Sequence, residues 1–408
     1  MNRRFFCIRR AMAVCLIVAL AACTACAEDL VELSCGRVEF LNYQCTMPDG
    51  RLLLTGGTRR AESGGDAAWI MCLNTDRSVS WEYISRKDGY TAADYAAVLP
   101  DGTAAVVMEN YPEKRAVMFF TPDGKKARKK LNLKKKRGNV CAAGPSFIMF
   151  YDSDSDEPTD WRYTTFLYDW TGKETGRYDG VILRGGYGFM VSAGDEFLMY
   201  GQDTMFNSRA MIQKLDGPQG NVVWETVLDR QEPGTDTAVL DYVLKTADGG
   251  YIAWLREGKP GEADSPYVWT HSMVKFDAEG HVEWIRGKEL NGLHGKMLEY
   301  GGKIGIMYEE SSRIDASRTI HWYNTDGTEL GTTELKLDPK EFTVLRDYLE
   351  PEEAGEQKTS FVDQLQFIPM EDGLWAMATC FAATDVGGGS FATVYDSQEI
   401  VMFRIPVL

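Results

Sequence analysis

The sequence predicts an all-β chain, a seven-bladed β-propeller built of four-stranded antiparallel blades. Three observations carry that prediction. First, the stretch Phe276-Asp277-Ala278-Glu279-Gly280-His281-Val282-Glu283-Trp284 reads as strand, tight turn, strand, and its offsets recur. Each copy has a polar residue opening the turn, a turn residue three later and a strand residue four after that. Copies start at Asn74, Thr121, Asp169, Asp277, Asn324 and Asp396, and at Asp216 with one extra residue. Second, turn pairs interleave with these hairpins, at Asp49-Gly50, Asp101-Gly102, Gly144-Pro145, Gly194-Asp195, Asp248-Gly249, Gly301-Gly302 and Asp372-Gly373, each before a strongly apolar run. Third, successive hairpins start 47, 48, 47, 61, 47 and 72 residues apart. A period near 47 with four strands per unit is the spacing of propeller blades.

Each unit then reads strand A, turn, strand B, longer loop, strand C, tight turn, strand D. Strand B is apolar nearly throughout, as in Ala104 to Met108, because neighbouring blades cover both its faces. Strand D is polar, as in Lys126 to Lys130 and Thr332 to Lys336, because it is the outer edge. Trp81, Trp224 and Trp284 open strand D, where an indole can cover the gap between blades. The chain is expected to begin with a strand A and to end with a strand D. In an antiparallel blade the A–B and C–D turns lie at one end and the B–C and D–A loops at the other. The long insertions, Asp152 to Trp161, Arg256 to Trp269 and the acidic Asp338 to Gln364 with one helical turn near Phe342 to Leu349, therefore fall on one face.

Residues 1–27 read as an address. Arg3, Arg4, Arg9 and Arg10 precede an apolar run from Ala11 to Ala22 that is too short to span a bilayer. Ala25-Cys26-Ala27 suits ordinary cleavage, whereas Leu20-Ala21-Ala22-Cys23 resembles a bacterial lipobox that would leave Cys23 acylated. Residues 28–37 follow as an N-terminal segment, and 38–408 as a single propeller domain. Beyond the leader, 40 basic residues face 60 acidic ones, which excludes a nucleic-acid partner because phosphate binding needs a positive footprint. The cysteines show no metal-ligand spacing. Cys45, Cys72, Cys141 and Cys380 sit in apolar strands as buried thiols, and Cys35 with Cys380 is the disulfide to test first.

The Lys-Phe-Asp-x-x-Gly-x-x-x-Trp pattern at Lys275 to Trp284, with its looser copies, resembles the repeats of exported bacterial β-propellers of the quinoprotein-like and WD40-like kind. The resemblance covers about Val38 to Leu408 and implies a binding platform, an assembly factor or, less often, an enzyme. It does not extend to quinoprotein dehydrogenase activity: the adjacent cysteine pair and a Cys-x-x-Cys-His are both absent. Asn74 to Trp81 resembles the Asp-box of sialidase propellers, which is structural there.

Candidate sites are few. Asp152, Asp154 and Asp156 alternate as in a calcium loop, but Glu157-Pro158 stands where glycine is expected, and a solvated acidic loop is the plainer reading; no other cofactor is expected. Trp161, Tyr267 and Trp269, with Asp160, could grip a sugar or peptide from the insertion face, or pin their own loops. Lys125, Lys126, Arg128, Lys129, Lys130, Lys134, Lys135, Lys136 and Arg137 form a basic run free of acids. It serves either as edge protection or as a contact with anionic lipid headgroups or cell-wall polymer. His271 and His321 fall in C strands of adjacent blades without metal-ligand spacing.

These observations point to an exported, non-enzymatic, monomeric binding scaffold that presents a loop-rich face to a protein or glycan at a bacterial cell surface. The membrane would be met through a lipid on Cys23. The alternative is a carbohydrate-active hydrolase or lyase. That reading requires inward carboxylates about 5–10 Å apart at the channel mouth, with Arg or Tyr beside them.

Overall fold

A computed structural model of the protein describes residues 30–33, 39–59, 66–85, 89–110, 114–132, 139–153, 162–181, 189–191, 196–203, 207–216, 221–231, 233–260, 268–286, 296–309, 313–314, 316, 318–335, 337–338, 342, 349, 358–387, 390–393 and 398–408. The strands are, in order, β1 (Leu30–Glu32); β2 (Glu39–Thr46), β3 (Leu52–Arg59), β4 (Asp66–Leu73) and β5 (Val79–Ile84) of the first blade; and β6 (Ala92–Val98), β7 (Ala104–Asn110), β8 (Lys114–Phe120) and β9 (Leu131–Asn132) of the second. The third blade holds β10 (Asn139–Ala143), β11 (Phe147–Ser153), β12 (Arg162–Asp169) and β13 (Glu174–Val181), and the fourth β14 (Phe189–Val191), β15 (Glu196–Gln202), β16 (Ala210–Asp216) and β17 (Asn221–Val227). The fifth holds β18 (Thr237–Lys245), β19 (Tyr251–Lys259), β20 (Val268–Phe276) and β21 (Val282–Arg286), and the sixth β22 (Lys296–Tyr300), β23 (Lys303–Glu309), β24 (Arg318–Asn324) and β25 (Glu329–Leu335). The last sheet comprises β26 (Lys358–Met370), β27 (Gly373–Gly387), β28 (Ser390–Thr393) and β29 (Glu399–Ile405).

Six sheets are four-stranded antiparallel meanders in sequence order, which is the predicted blade. The last sheet departs from the prediction. It has five strands, ordered β1-β29-β27-β26, with β28 sharing the edge of β27 that β29 also uses. The copy expected at Asp396 therefore does not close a C–D hairpin: β29 is the third strand, and the outer fourth strand comes from the chain's other end. Leu30, Val31 and Glu32 pair with Phe403, Met402 and Val401. The expectation that the chain opens with strand A is thus corrected, and residues 30–32 belong to the sheet system. Both ends of the described chain meet in one sheet.

The recurring turn has one geometry. Asp277 donates its N–H to His281 O at 2.9 Å, and Gly280 N–H donates back to Asp277 O at 3.2 Å; the same pair of bonds follows Asn74, Thr121, Asp169 and Asn324. The opening polar side chain has a task here: Asp277 Oδ1 accepts from the backbone of Glu279 at 3.0 Å and His281 at 2.8 Å. The fourth residue is left-handed, as in Gly280 with φ 86°, and the ladder then shifts by one residue, between Lys275 and Phe276 for this blade. This is a type I turn with a glycine bulge, which matches the right-handed twist of the strands. Neighbouring blades are linked through it. Trp81 Nε1 donates to Pro122 O at 3.0 Å, Trp224 Nε1 to Ala278 O at 3.2 Å and Trp284 Nε1 to Thr325 O at 3.2 Å, each a carbonyl in the next blade's C–D turn.

The core sits between blades, as the apolar B strands require. In β7, Ala104, Val106 and Met108 face the first blade's Leu53, Ile70 and Cys72, whereas Ala105 and Val107 face Ile148 of the third. Similar clusters fill the junctions of the fourth with the fifth blade, the fifth with the sixth, and the last sheet with both the sixth and the first. Cys45, Cys72 and Cys380 are free, so Cys380 forms no disulfide; Cys35 lies outside the described residues.

Candidate functional site at the channel mouth

The first strands of successive sheets, such as β2 and β6, β6 and β10, and β18 and β22, lie against one another and line the axis. Five of them carry a bulge, including β10 between Val140 and Ala142 and β26 between Asp363 and Gln366, and in three the bulge falls at an Asx–Tyr step. In β2 the register steps from Leu41 to Tyr43 and leaves Asn42 extra; in β6 it steps from Ala93 to Ala96 around Asp94 and Tyr95; in β18 it steps from Leu240 to Tyr242 and leaves Asp241 extra. A bulge re-aims side chains out of the ladder. Here it delivers an Asx–Tyr pair from each of the three strands: Asn42-Tyr43, Asp94-Tyr95 and Asp241-Tyr242.

These pairs touch. Asn42 Nδ2 donates to Asp94 Oδ1 and to Ala93 O, both at 3.2 Å, and the Tyr43 and Tyr95 rings are 5.4 Å apart. Asp94 shares a hydrogen bond with Glu109, whose other contact is Arg115 Nε at 2.9 Å. Burial, the Glu109 charge and the hydrogen bond between the two acids push the Asp94 carboxyl up to about 8, with Arg115 offsetting part of the effect. Asp94 therefore keeps its proton at neutral pH. On the fifth blade, Asp241 pairs with two of the Arg256 nitrogens, Nε at 2.7 Å and Nη2 at 3.0 Å. Burial, together with Tyr242, Asp241 and Tyr95, raises the Tyr200 hydroxyl well above the usual phenol range, and burial with Cys45 and Tyr95 does the same to Tyr43. The result is two carboxylates each held by an arginine, one neutral acid and a set of neutral tyrosines. Asp94 lies near the start of β6, Glu109 near the end of β7 and Arg115 near the start of β8, which places them at the B–C end of their blade, the face predicted to carry the insertions.

The residues singled out from sequence fare differently. Trp269 is not on a loop: it lies in β20, half-buried, with Arg256 Cζ 4.4 Å from its ring centroid and its ring against Gly258. It pins its own strands and holds the arginine that faces Asp241. Asp152 is in β11, with its side chain outside the described set. Asp154, Asp156, Asp160, Trp161, Tyr267, Lys134, Lys135, Lys136, Arg137 and Cys23 lie outside the described residues. Lys125, Lys126, Arg128, Lys129 and Lys130 are exposed, but they are not the regular edge strand expected, since β9 spans only Leu131–Asn132. His271 and His321 do fall in C strands of adjacent blades, joined by a row of ring contacts: Trp254 stacks 5.6 Å from His271 and meets Tyr308 edge-on at 5.9 Å, and Tyr308 meets His321 edge-on at 4.9 Å. Among the described residues no group of three or more His, Cys, Asp or Glu could hold a metal.

The sheet topology defines this chain as a β-propeller. No family model matches it, and no curated protein matches it. Among solved structures it is similar to the β-propeller domain of the Trilobed protease from Pyrococcus furiosus, described as having an open velcro topology, with 10% identity over 87% of this chain and 95% of that one and a TM-score of 0.48. It is also similar to Pyrococcus horikoshii acylaminoacyl peptidase, with 12% identity over 87% of this chain and 52% of that one and a TM-score of 0.47. A neuraminidase-like protein from A/bat/Guatemala/164/2009 matches with 10% identity over 78% of this chain and 90% of that one and a TM-score of 0.40.

Proposed function

We propose that this protein is an exported binding propeller, non-enzymatic, that holds a glycan at the axial mouth on its insertion face. In this reading the five-stranded last sheet serves as the seventh blade. Residues 1–27 are removed or end in a lipid on Cys23, which leaves the mature chain at the cell surface of a bacterium. The observation that carries the ligand class is the threefold Asx–Tyr bulge. Tyrosine faces stack on sugar rings, while Asn42, the Asp94 proton, Arg115 and Arg256 offer fixed polar contacts to hydroxyls. Because Glu109 and Asp241 are each matched by an arginine, the mouth suits a neutral polyhydroxylated ligand better than a strongly charged one. A glycan array probed with the full chain, then with Tyr95→Ala and Tyr242→Ala, tests the reading. Each variant should weaken capture roughly tenfold, the equivalent of about 1.4 kcal/mol of stacking. Unchanged capture by both folded variants would remove the site.

The hydrolase reading has one observation in its favour: Asp94 retains a proton that a general acid needs. Against it, Asp94 and Glu109 are in direct hydrogen-bond contact, closer than the roughly 5–10 Å that glycosidase carboxyl pairs keep. Release of reducing sugar from any glycan captured on the array, abolished in Asp94→Asn, would favour the enzyme over the scaffold.

A further inference from the structure

Several seams between blades share one construction. Trp81, Trp224 and Trp284, each on an outer strand, lie over the next blade's C–D turn against Gly124, Gly280 and Gly327, and Leu131 takes that place against Gly172. Each indole also donates to the carbonyl of the second turn residue, Pro122, Ala278 or Thr325. The seam between the last sheet and the first blade departs from this. Its outer strand is β1, Leu30–Glu32, and the chain has no tryptophan before Trp69. The equivalent acceptor in the first blade's turn, Thr75 O, receives no hydrogen bond among the described residues.

A cavity of about 560 Å³ opens at this seam. It lies on the face of the tight turns, opposite the insertion face: Gly50 and Glu371 belong to A–B turns, and Thr75 to the first blade's C–D turn. Its floor is apolar. Leu52 and Ile368 are buried there, and Pro369 and Met370 continue the wall from the last sheet. That volume is in the range of small-molecule sites, which are concave, mainly apolar and furnished with a few fixed polar groups.

The fixed group here is Arg77. It stands where the turns above have glycine, at φ 69°, a strained backbone of the kind that clusters at ligand sites. Its guanidinium lies 4.1 Å over the Trp375 ring and pairs with Asp372, which also accepts from Trp375 Nε1 at 3.1 Å. Trp375 thus backs the guanidinium while Arg77 lines the cavity. A guanidinium held flat in this way presents a surface on which an aromatic ring stacks. Charge does not select the ligand. Arg77 is matched by Asp372, Arg51 by Asp49, and Asp76 is engaged by Ser78 of its own turn, which leaves Glu371 exposed at the rim.

We propose that this cavity binds an aromatic ring bearing an N–H donor, of which indole is the type. The ring stacks on the Arg77 guanidinium over Ile368 and Met370, and its N–H donates to Thr75 O. That is the bond which Trp81, Trp224 and Trp284 make within the chain at the other seams. The ligand supplies from outside a cover that β1 does not carry. A free indole compound and a tryptophan in a partner's peptide segment share this chemistry. The site is independent of the glycan reading, because the two have no residue in common.

The test is calorimetric titration of the full chain with N-acetyltryptophan amide, and with a short peptide carrying one central tryptophan between glycines and serines. The amide should bind with a Kd on the order of 0.1 mM, ordinary for a ligand of that size. A peptide about tenfold tighter points to a partner segment and equal affinities to a free indole compound; both support the site. N-acetylleucine amide and the N-methylated indole should each bind about tenfold more weakly, having lost the stack or the donor. Thr46→Trp, at an exposed position on the rim, fills the cavity with its own ring and should abolish binding with unchanged melting. Arg77→Ala should weaken it about tenfold. Tyr95→Ala should leave it unaltered, which separates this seam from the axial tyrosines. Equal binding of the leucine amide would overturn the proposal. So would indole binding retained in folded Thr46→Trp and Arg77→Ala, its loss in folded Tyr95→Ala, or no saturation by about 10 mM.

Discussion

The indole of Trp224 lies across the backbone of Gly280 in the next blade. A Cβ added to Gly280 would stand 2.5 Å from Trp224 Cε3, and the glycine has φ +86°. The same contact recurs between Trp81 and Gly124 and, with more room, between Trp284 and Gly327. The turn glycine thus has two duties, a left-handed backbone and an empty seat for the neighbouring ring. Gly280→Ala should cost roughly 2–4 kcal/mol, from backbone strain and overpacking together. Gly249→Ala is the control, because Gly249 shares the φ of +86° but has nothing within 4 Å of its added Cβ. It should cost about 1–2 kcal/mol from the backbone alone. Chemical denaturation of both variants gives the difference; equal losses would mean the ring contributes nothing.

Arg77 takes the position where the other turns of this type have glycine, at φ 69°. Its side chain explains the exception. The guanidinium lies 4.1 Å over the Trp375 ring and 2.5 Å from Asp372, so it joins the first blade to the last sheet where the two chain ends meet. Asp372 is 45% exposed, which limits the ion pair to a few tenths of a kcal/mol, on the order of surface pairs generally. Arg77→Gly relieves about 1 kcal/mol of left-handed strain while losing the stack and the pair, so it should leave stability within about 0.5 kcal/mol. Arg77→Ala keeps the strain and loses the contacts, and should be destabilised by about 1–1.5 kcal/mol. If Arg77→Ala matched the parent, the contact with Trp375 would have no energetic role.

The repeat was legible because its causes are local. Asp277 caps its own turn, Gly280 supplies a positive φ and the alternation of Ala104 to Met108 follows from two covered faces, so each leaves a mark within ten residues. The last sheet was misread because its fourth strand is a long-range pairing: nothing near Asp396 says that Phe403 will pair with Leu30. The mouth was overlooked for a related reason. Asp94 and Glu109 lie on different strands, and only the bulge brings Asn42 of another blade to them. A signal did exist, in the Asn-Tyr, Asp-Tyr and Asp-Tyr steps at 42, 94 and 241, polar interruptions at matching places in apolar first strands. Trp269 drew attention as an aromatic beside a long loop, and its strand register with Gly258 was invisible without the sheet.

Asp94 gives the fold a pH dependence of definite sign. Its carboxyl is raised from 3.8 to about 8 by burial and by Glu109, so between those limits the folded chain holds a proton that the unfolded chain does not. The stabilisation is full below the unfolded value of 3.8 and is lost as pH rises through about 8. Stability should therefore fall with pH across this window, with a contribution of at most about 1.4 kcal/mol per pH unit from this group. Asp94→Asn keeps an acceptor for Asn42 and removes the proton. It should flatten the slope and leave the variant more stable than the parent above pH 8. Denaturation midpoints at pH 5, 7 and 9 for both chains decide it; parallel curves would assign the slope to other groups.

Leu33 reports on closure. It follows β1, donates its backbone N–H to Ile400 O at 2.9 Å and is 4% exposed within the cluster shared by the last sheet and the first blade. Were residues 30–33 an appended segment, truncating this side chain would cost little. Because β1 is the outer strand that joins the chain's two ends, Leu33→Ala should cost about 2–4 kcal/mol, in the range of a leucine removed from a packed core. Leu53→Ala, wholly buried between the first and second blades, sets the scale. Closure also predicts where the loss is felt. In Leu33→Ala, amide exchange should quicken first in β29, which loses its partner on one side, and then in β2 across the same cluster, with β19 of the fifth blade protected as before. A cost below about 0.5 kcal/mol, the usual range for surface substitutions, would detach β1 from the energetics of the ring.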